Sequence, residues 1–412
     1  MTMSPQMRRA AWQSIPVIVI CGCLVAMIGF GPRSTLGFFL TPMSAANGWG
    51  RDVFALALAL QMLLWGAAQP FVGAIADRFG PVLVLCVGAL LYAVGFAWMA
   101  YAATPGEMYL SGGVLVGFGL AGSSFTVVIG AFGKLLPPQW RALSFGLGTA
   151  AGSFGQFLFS PLAIGLNASF DWQTTLLIFS AVVLLILPLS LALATPREVV
   201  VPHQPRPQSV REAMREALGH ASYVYLVLGF FSCGFQVFFI TVHLPAYLVD
   251  RGLSADIGAI TVGVIGLFNI IGSISAGYLS NRIPKRYLLA GIYFLRSVAI
   301  AIFIMVPASA TTSIVFGAVI GLLWLSTVPP TNALVAVMFG TRWLTMLAGF
   351  AFFSHQVGGF LGVWLGGVMF ERTGSYDVIW WIAILLGILS ALINLPIKER
   401  PVERPAPAGA AG

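Results

Sequence analysis

Charge is what this sequence lacks most. Its 412 residues include 21 Lys or Arg and 13 Asp or Glu, so 8% are charged, where a soluble domain carries roughly 25%. So few charges could not coat a 43.8 kDa globule, which excludes a soluble fold. The 58% hydrophobic content excludes a disordered chain, which would be polar. Cysteine is scarce too: Cys21, Cys23, Cys86 and Cys233 lie in apolar runs with no His close in sequence. They read as buried small hydrophobes and suggest no metal site. No nucleotide-binding P-loop occurs, which excludes a self-contained ATP-driven pump. No Ser/His/Asp grouping suits a soluble active site, so the chain reads as no enzyme and calls for no cofactor. Finally, no Asp or Glu sits mid-way along any apolar run. Sugar porters and cation pumps driven by protons need such a carboxylate, and a bound cationic drug would go unneutralised without one.

Long apolar runs are what is present, with a mean hydropathy of +0.93. A bilayer core demands spans of ~20 apolar residues. Hydropathy and breakers place twelve, at 14–41, 53–76, 81–103, 107–133, 142–166, 174–194, 222–249, 256–279, 287–306, 312–338, 344–370 and 376–396. Arg8 and Arg9 before the first run could mimic a signal peptide, but the run passes Leu40 without a small-residue cleavage site and reads as a span. The fold class expected is an all-α membrane protein of twelve helices in two six-helix halves. Four segments follow: a first half over 1–196, a linker over 197–221, a second half over 222–398 and a tail over 399–412. The linker is rich in Pro, Arg and Glu and ends in a short amphipathic helix over 210–218.

The net charge of +8 would suggest nucleic acid in a soluble protein. Here it follows the rule that basic loops stay on the cytoplasmic side. With both termini inside, 16 of the 21 Lys and Arg fall in cytoplasmic segments, while the opposite loops keep Arg51, Arg251 and Arg372 beside seven acids. Nucleic acid is therefore no partner; the partners expected are a bilayer, a small solute and protons, with the chain a monomer.

An internal repeat supports the division. Gly73-Ala-Ile-Ala-Asp77-Arg78-Phe-Gly80 follows the second span, and Gly277-Tyr-Leu-Ser-Asn281-Arg282 follows the eighth, 204 residues later. Two six-span units in parallel repeat are the architecture of one large transporter class. With Gly73, Asp77, Arg78 and Gly80 matching its loop 2–3 motif, the chain resembles the major facilitator superfamily; Pro81 stands where a basic residue is usual. Tighter features resemble the branch of monocarboxylate porters and oxalate–formate exchangers: Arg33-Ser-x-x-Gly-x-Phe, Gly48-Trp49-Gly50-Arg51 and His355-Gln356-x-Gly358-Gly359-Phe360. The eighth span departs from mammalian-type monocarboxylate porters, which carry an Asp and an Arg there; this one offers only Asn269 as a sizeable polar group. Substrate and coupling therefore do not carry over.

Arg33 is the sharpest candidate. An arginine inside a bilayer is costly and must face protein or water, and its planar donors suit a carboxylate. The competing reading is snorkelling to headgroups, or stacking on Phe38 or Trp49. Arg296, the second intraspan arginine, falls on a span that the resemblance makes peripheral, which favours a structural contact or a lipid headgroup. Gln236 and His243 lie seven apart on one face of the seventh span. His355 and Gln356 lie mid-way along the eleventh, which lines the central cavity in the family resembled. Gln61, Gln69, Gln156 and Asn332 are further polar positions, as apt for interhelical bonds as for ligand contact. Gly148-x-x-x-Gly152 and Gly358-x-x-x-Gly362-x-x-x-Gly366 offer small faces, read as surfaces on which rigid halves rock or as static packing. Pro329-Pro330 and Thr331-Asn332 are expected to break or kink the tenth span.

The residues expected to bind substrate are thus Arg33, Asn269, His355, Gln356, Gln236 and His243, with Gly73, Asp77, Arg78, Gly80, Asn281 and Arg282 as the conformational motif. The function expected is secondary transport of a small organic anion, a monocarboxylate, across the inner (plasma) membrane, by proton symport or exchange. The alternative is efflux of neutral or amphiphilic compounds.

Overall fold

The computed structural model describes residues 13–49, 51–195 and 208–402. Arg8, Arg9, Gly50, residues 197–207 of the linker and the tail from 403 onward lie outside the described residues. Those described form helices and no strand. We label the long ones α1 (Ile15–Ser34), α2 (Arg51–Phe79), α3 (Pro81–Met99), α4 (Pro105–Leu135, in segments), α5 (Pro138–Ser169) and α6 (Trp172–Leu193, in segments). After the linker helix Val210–Leu218 come α7 (Ala221–Asp250), α8 (Ala255–Leu279), α9 (Lys285–Met305), α10 (Ala310–Phe339, broken), α11 (Leu344–Thr373) and α12 (Asp377–Asn394). Eleven are long and apolar enough to cross a membrane. The remaining one, α5, has 32 residues, but Gly, Ser and Gln dilute its apolar content. Large hydrophobic side chains such as Phe71, Met305 and Trp381 stand exposed around the bundle, as a lipid-facing surface requires.

Local chemistry sets the helix starts. Thr104 with Glu107 and Ser209 with Glu212 form capping boxes, each satisfying backbone donors at a helix N-terminus. Gly80, at φ +97°, makes the sharp turn from α2 into α3, where Pro81 occupies the first turn and loses no helical bond.

Packing repeats with a period of six helices. α1 lies on α5 and α7 on α11; α2 lies on α4 and α8 on α10; α3 lies on α6 and α9 on α12. The two sets then meet through α2 with α11 and α5 with α8. Close approach depends on glycine. A Cβ at Gly155 would lie 2.4 Å from the Met27 carbonyl, and one at Gly358 2.1 Å from that of Phe231.

The glycine stripes correct an expectation. Gly358, Gly362 and Gly366 seat α11 on α7, and Gly152 faces α1, all within one set of six. They are static packing, and the contacts between sets fall on other glycines: a Cβ at Gly73 would lie 2.6 Å from the Thr345 carbonyl and one at Gly146 2.6 Å from that of Ser273. The tenth span is broken as expected, but a few residues earlier. It breaks before its prolines, between Leu323 and Val328, and Pro329 and Pro330 lie in the first turn of the new segment, where their missing N–H groups cost nothing. Within α4, residues Tyr109–Leu115 form a π-helical segment, a form often associated with functional sites.

Candidate functional site

One face of the bundle is shut. The helix α2 runs to Phe79, three residues past the expected end, so Asp77 lies in its last turn with a fully buried side chain. Its carboxylate accepts from Thr345 Oγ1 (2.7 Å) and from the Met346 backbone N–H (2.8 Å) at the start of α11. Lys134 Nζ, at the end of α4, approaches it at 2.8 Å. A helix N-terminus favours an anion, so Asp77 ties the first six helices to the last. The repeat copy does less: Asn281 Nδ2 donates to the Gln139 carbonyl at 3.1 Å, and the pair is exposed. Arg78 and Arg282 lie over aromatic rings of their own segments, Phe79 and Tyr278.

Behind this closed face lies a cavity of about 730 Å³ between the two sets of helices. Arg33, Asn269, His355 and Gln356 line it, as does Gln156. Its wall reaches Ile164 on α5 and Val262 on α8, the turns nearer the opposite face.

Arg33 is half-buried. Its Nε donates to Gln61 Oε1 at 3.3 Å, and its guanidinium lies over Trp65 (5.4 Å) and Phe30 (5.9 Å). These rings, not Phe38 or Trp49, are its stacking partners. Gln61 is fully buried and is fixed at its other end, where Nε2 donates to the Gly112 carbonyl in the π-helical segment at 2.8 Å. No Asp or Glu pairs with Arg33 among the described residues, and its Nη donors make no hydrogen bond there. The guanidinium is thus held at Nε and over two rings, in the cavity lining and near the Tyr92 hydroxyl, with its Nη donors free of hydrogen bonds among the described residues.

The floor is built from α8 and α11. Asn269 Nδ2 donates to Ser153 Oγ on α5 at 2.6 Å, and its Oδ1 accepts from the Leu325 N–H at 3.0 Å, within the break in α10. One side chain therefore bonds to both sets of helices and to the broken helix. Phe352 packs between Trp65, tilted at 50° (5.0 Å), and His355, on which it stacks (5.8 Å). His355 Nδ1 donates to Gln356 Oε1 at 3.3 Å, which leaves Nε2 of a neutral ring as an acceptor. His355 Nε2 and Gln356 Nε2 are buried and without a hydrogen-bond partner.

Two expected residues stand elsewhere. Gln236 is 1% exposed; its Nε2 donates to the Ala383 carbonyl (2.9 Å) and its Oε1 accepts from Arg296 (3.3 Å). His243 Nε2 donates to the Val363 carbonyl at 2.9 Å, and the ring packs on Phe239 and Tyr376. Their common face of α7 turns to α11 and α12 and not to the cavity. Arg296 belongs with Gln236: it donates to the carbonyls of Leu323 and Trp324 where α10 breaks. That is the structural contact expected of it, a cation capping a helix C-terminus. Sequence reading missed Trp65 and Ser153 as members of the site. Trp65 could have been found, being four residues after Gln61 and so on the same helix face; nothing local marks Ser153.

A family model described as Major Facilitator Superfamily matches residues 22–363. The chain is similar to the uncharacterized MFS-type transporter YcxA of Bacillus subtilis (strain 168), at 27% identity covering 88% of this chain and 90% of that one. It is also similar to monocarboxylate transporter 13 of Rattus norvegicus, at 26% identity covering 92% and 88%. Among solved structures, the E. coli fucose:proton symporter FucP superposes with a TM-score of 0.71 at 16% identity, covering 93% of this chain and 98% of that one. FucP in an outward conformation gives 0.72 over the same shares; at this identity the likeness is one of fold.

Proposed function

The chain belongs to the Major Facilitator Superfamily, whose members are membrane transporters and not enzymes, and from that premise we propose that it moves a small organic anion, a monocarboxylate. The observation that carries this reading is Arg33: a cation in the cavity wall over the Phe30 and Trp65 rings, with Nη donors free of hydrogen bonds and no carboxylate partner among the described residues. A carboxylate can take those donors in a bidentate, charge-assisted pair. The similarity to monocarboxylate transporters supports the same substrate class.

The transport cycle is alternating access between two six-helix bodies, residues 1–196 and 222–398, joined by the linker. The basic face, closed by Asp77, is cytoplasmic in an inner membrane with both termini inside, so the cavity faces outward. Substrate on Arg33 and on Gln356, Asn269 and His355 draws the bodies together on the open side as the bonds of Asp77 and of Asn269 with Ser153 give way. Coupling is by a proton on His355 Nε2 or by exchange for a second anion; uptake into proteoliposomes with and without an imposed pH gradient separates the two. Arg33→Gln is expected to abolish carboxylate uptake in proteoliposomes while the protein still inserts and folds; unchanged uptake would remove Arg33 as the anchor. The aromatic wall favours a second reading, efflux of neutral or amphiphilic compounds. Rescue of drug-hypersensitive cells without carboxylate uptake would select it.

A further inference from the structure

A carboxylate on Arg33 would occupy one corner of the cavity. Its volume of about 730 Å³ falls within the ~300–1,000 Å³ that houses drug-sized ligands, and an acid of two or three carbons would leave most of it to water. The wall is poorly suited to water. Eight Phe and Trp side chains line it, contributed by α1, α2, α4, α5, α7, α10 and α11, so aromatic surface meets the ligand from both sets of helices. Burial of apolar ligand surface is the contribution such a wall can make.

Charge narrows the ligand further. Arg33 is the only Lys, Arg, Asp or Glu among the described lining residues. A second carboxylate would find no cation, and an ammonium would find no anion, and each is strongly disfavoured where it must be desolvated. Dicarboxylates and amino acids are therefore poor fits. At the floor, Gln356 Nε2 and His355 Nε2 are buried and without a hydrogen-bond partner among the described residues, so the floor adds polarity but no second charge.

We infer that the substrate is a monocarboxylate with an aromatic body and no amine. This rests on the reading of Arg33 as the carboxylate's partner. Each added methylene buried in the cavity is expected to tighten binding about fourfold, equivalent to ~0.8 kcal/mol at 1.4 kcal/mol per decade. A phenyl group is expected to tighten it at least ~50-fold.

The test is titration of the full-length protein in nanodiscs with acetate, butanoate, phenylacetate, phenylacetamide, phenylalanine and phenylsuccinate. Phenylacetate is expected to bind at least ~50-fold tighter than acetate, with butanoate, about fifteenfold tighter than acetate, between them and the amide, the amino acid and the dianion each at least tenfold weaker than phenylacetate. Acetate as tight as phenylacetate overturns the aromatic inference and leaves the anion reading standing. Phenylacetamide as tight as phenylacetate overturns the anion reading itself, and so does phenylacetate binding unchanged by Arg33→Gln. Phenylalanine or phenylsuccinate equal to phenylacetate overturns the charge argument. Phe157 lines the cavity and is exposed within the bundle surface, so Phe157→Ala leaves the packed core intact. It is expected to weaken phenylacetate severalfold and to spare acetate; equal effects on both acids count against the aromatic wall.

Discussion

Each set of six helices holds one intramembrane arginine, and the two are used in opposite ways. Arg296 is 1% exposed and gives its donors to Leu323, Trp324 and Gln236. Arg33 lines the cavity and gives one donor to Gln61, with its Nη donors free of hydrogen bonds among the described residues. Residue type is the same in both, so it does not decide the role. The partners do. A guanidinium bonded to carbonyls at the end of a broken helix holds that break in place, and one over two rings with its fork free of hydrogen bonds is prepared to take a ligand. The repeat has preserved helix packing across the two sets while the polar chemistry has diverged.

The largest effect expected is at Arg33. Arg33→Gln removes a charge-assisted bidentate pair, and a loss of ~3 kcal/mol corresponds to more than 100-fold in Kd for a carboxylate. Thermal stability without ligand should change little, because Gln61 is the one hydrogen-bond partner of the side chain among the described residues. Arg296→Met should reverse the pattern. Three buried acceptors lose their donor at ~1 kcal/mol each in a membrane interior, so the melting temperature of the purified protein should fall by several degrees. Carboxylate affinity of the surviving folded fraction should stay within about threefold. If the two variants behaved alike, the division into a ligand-facing and a structural arginine would fail.

Gln61 sharpens the contrast from within the first set. Its two amide ends join Arg33 to the π-helical segment of α4. Gln61→Glu keeps the shape and supplies the buried counter-ion that Arg33 lacks. A carboxylate substrate then competes with an internal one, and Kd should rise about tenfold by titration, while the new ion pair is offset by loss of the donor to the Gly112 carbonyl. Unchanged affinity would mean that Arg33 is not where the anion sits.

How far these roles were legible in the sequence follows from the same physics. Eleven of the twelve spans satisfy length and hydropathy, and the repeated loop motif marks the six-helix period, because burial in lipid constrains composition strongly. Arg33, Asn269, His355 and Gln356 were recognisable because a polar side chain within a span needs a reason to be there, and all four line the cavity. Gln236 and His243 were equally conspicuous and serve neighbouring helices. Helical spacing gives the shared face but not what that face meets, which depends on how α11 and α12 lie against α7. The break in α10 was misplaced by a few residues because Pro329 and Pro330 start a helix as readily as they kink one. Ser153 was invisible for a simpler reason: a serine in a glycine-rich span signals nothing until Asn269 is seen 2.6 Å away.

The two loop motifs carry the comparison to its smallest effects. Asp77 brings a negative charge to the first turn of α11, accepts two bonds there and has Lys134 at 2.8 Å. Asn281 makes one exposed bond to a carbonyl at the start of α5. Asp77→Asn keeps a similar outline but loses the charge that the helix terminus and Lys134 both favour, at ~1–2 kcal/mol. The closed face should open more often, and hydrogen exchange in the first turn of α11 should rise about tenfold. Asn281→Ala removes a single solvent-exposed hydrogen bond, worth ~0.5 kcal/mol, so exchange in the first turn of α5 should rise by no more than two- to threefold. A tenfold response there would mean that both copies of the motif lock the closed face equally, and that the divergence seen at the arginines does not extend to the loops.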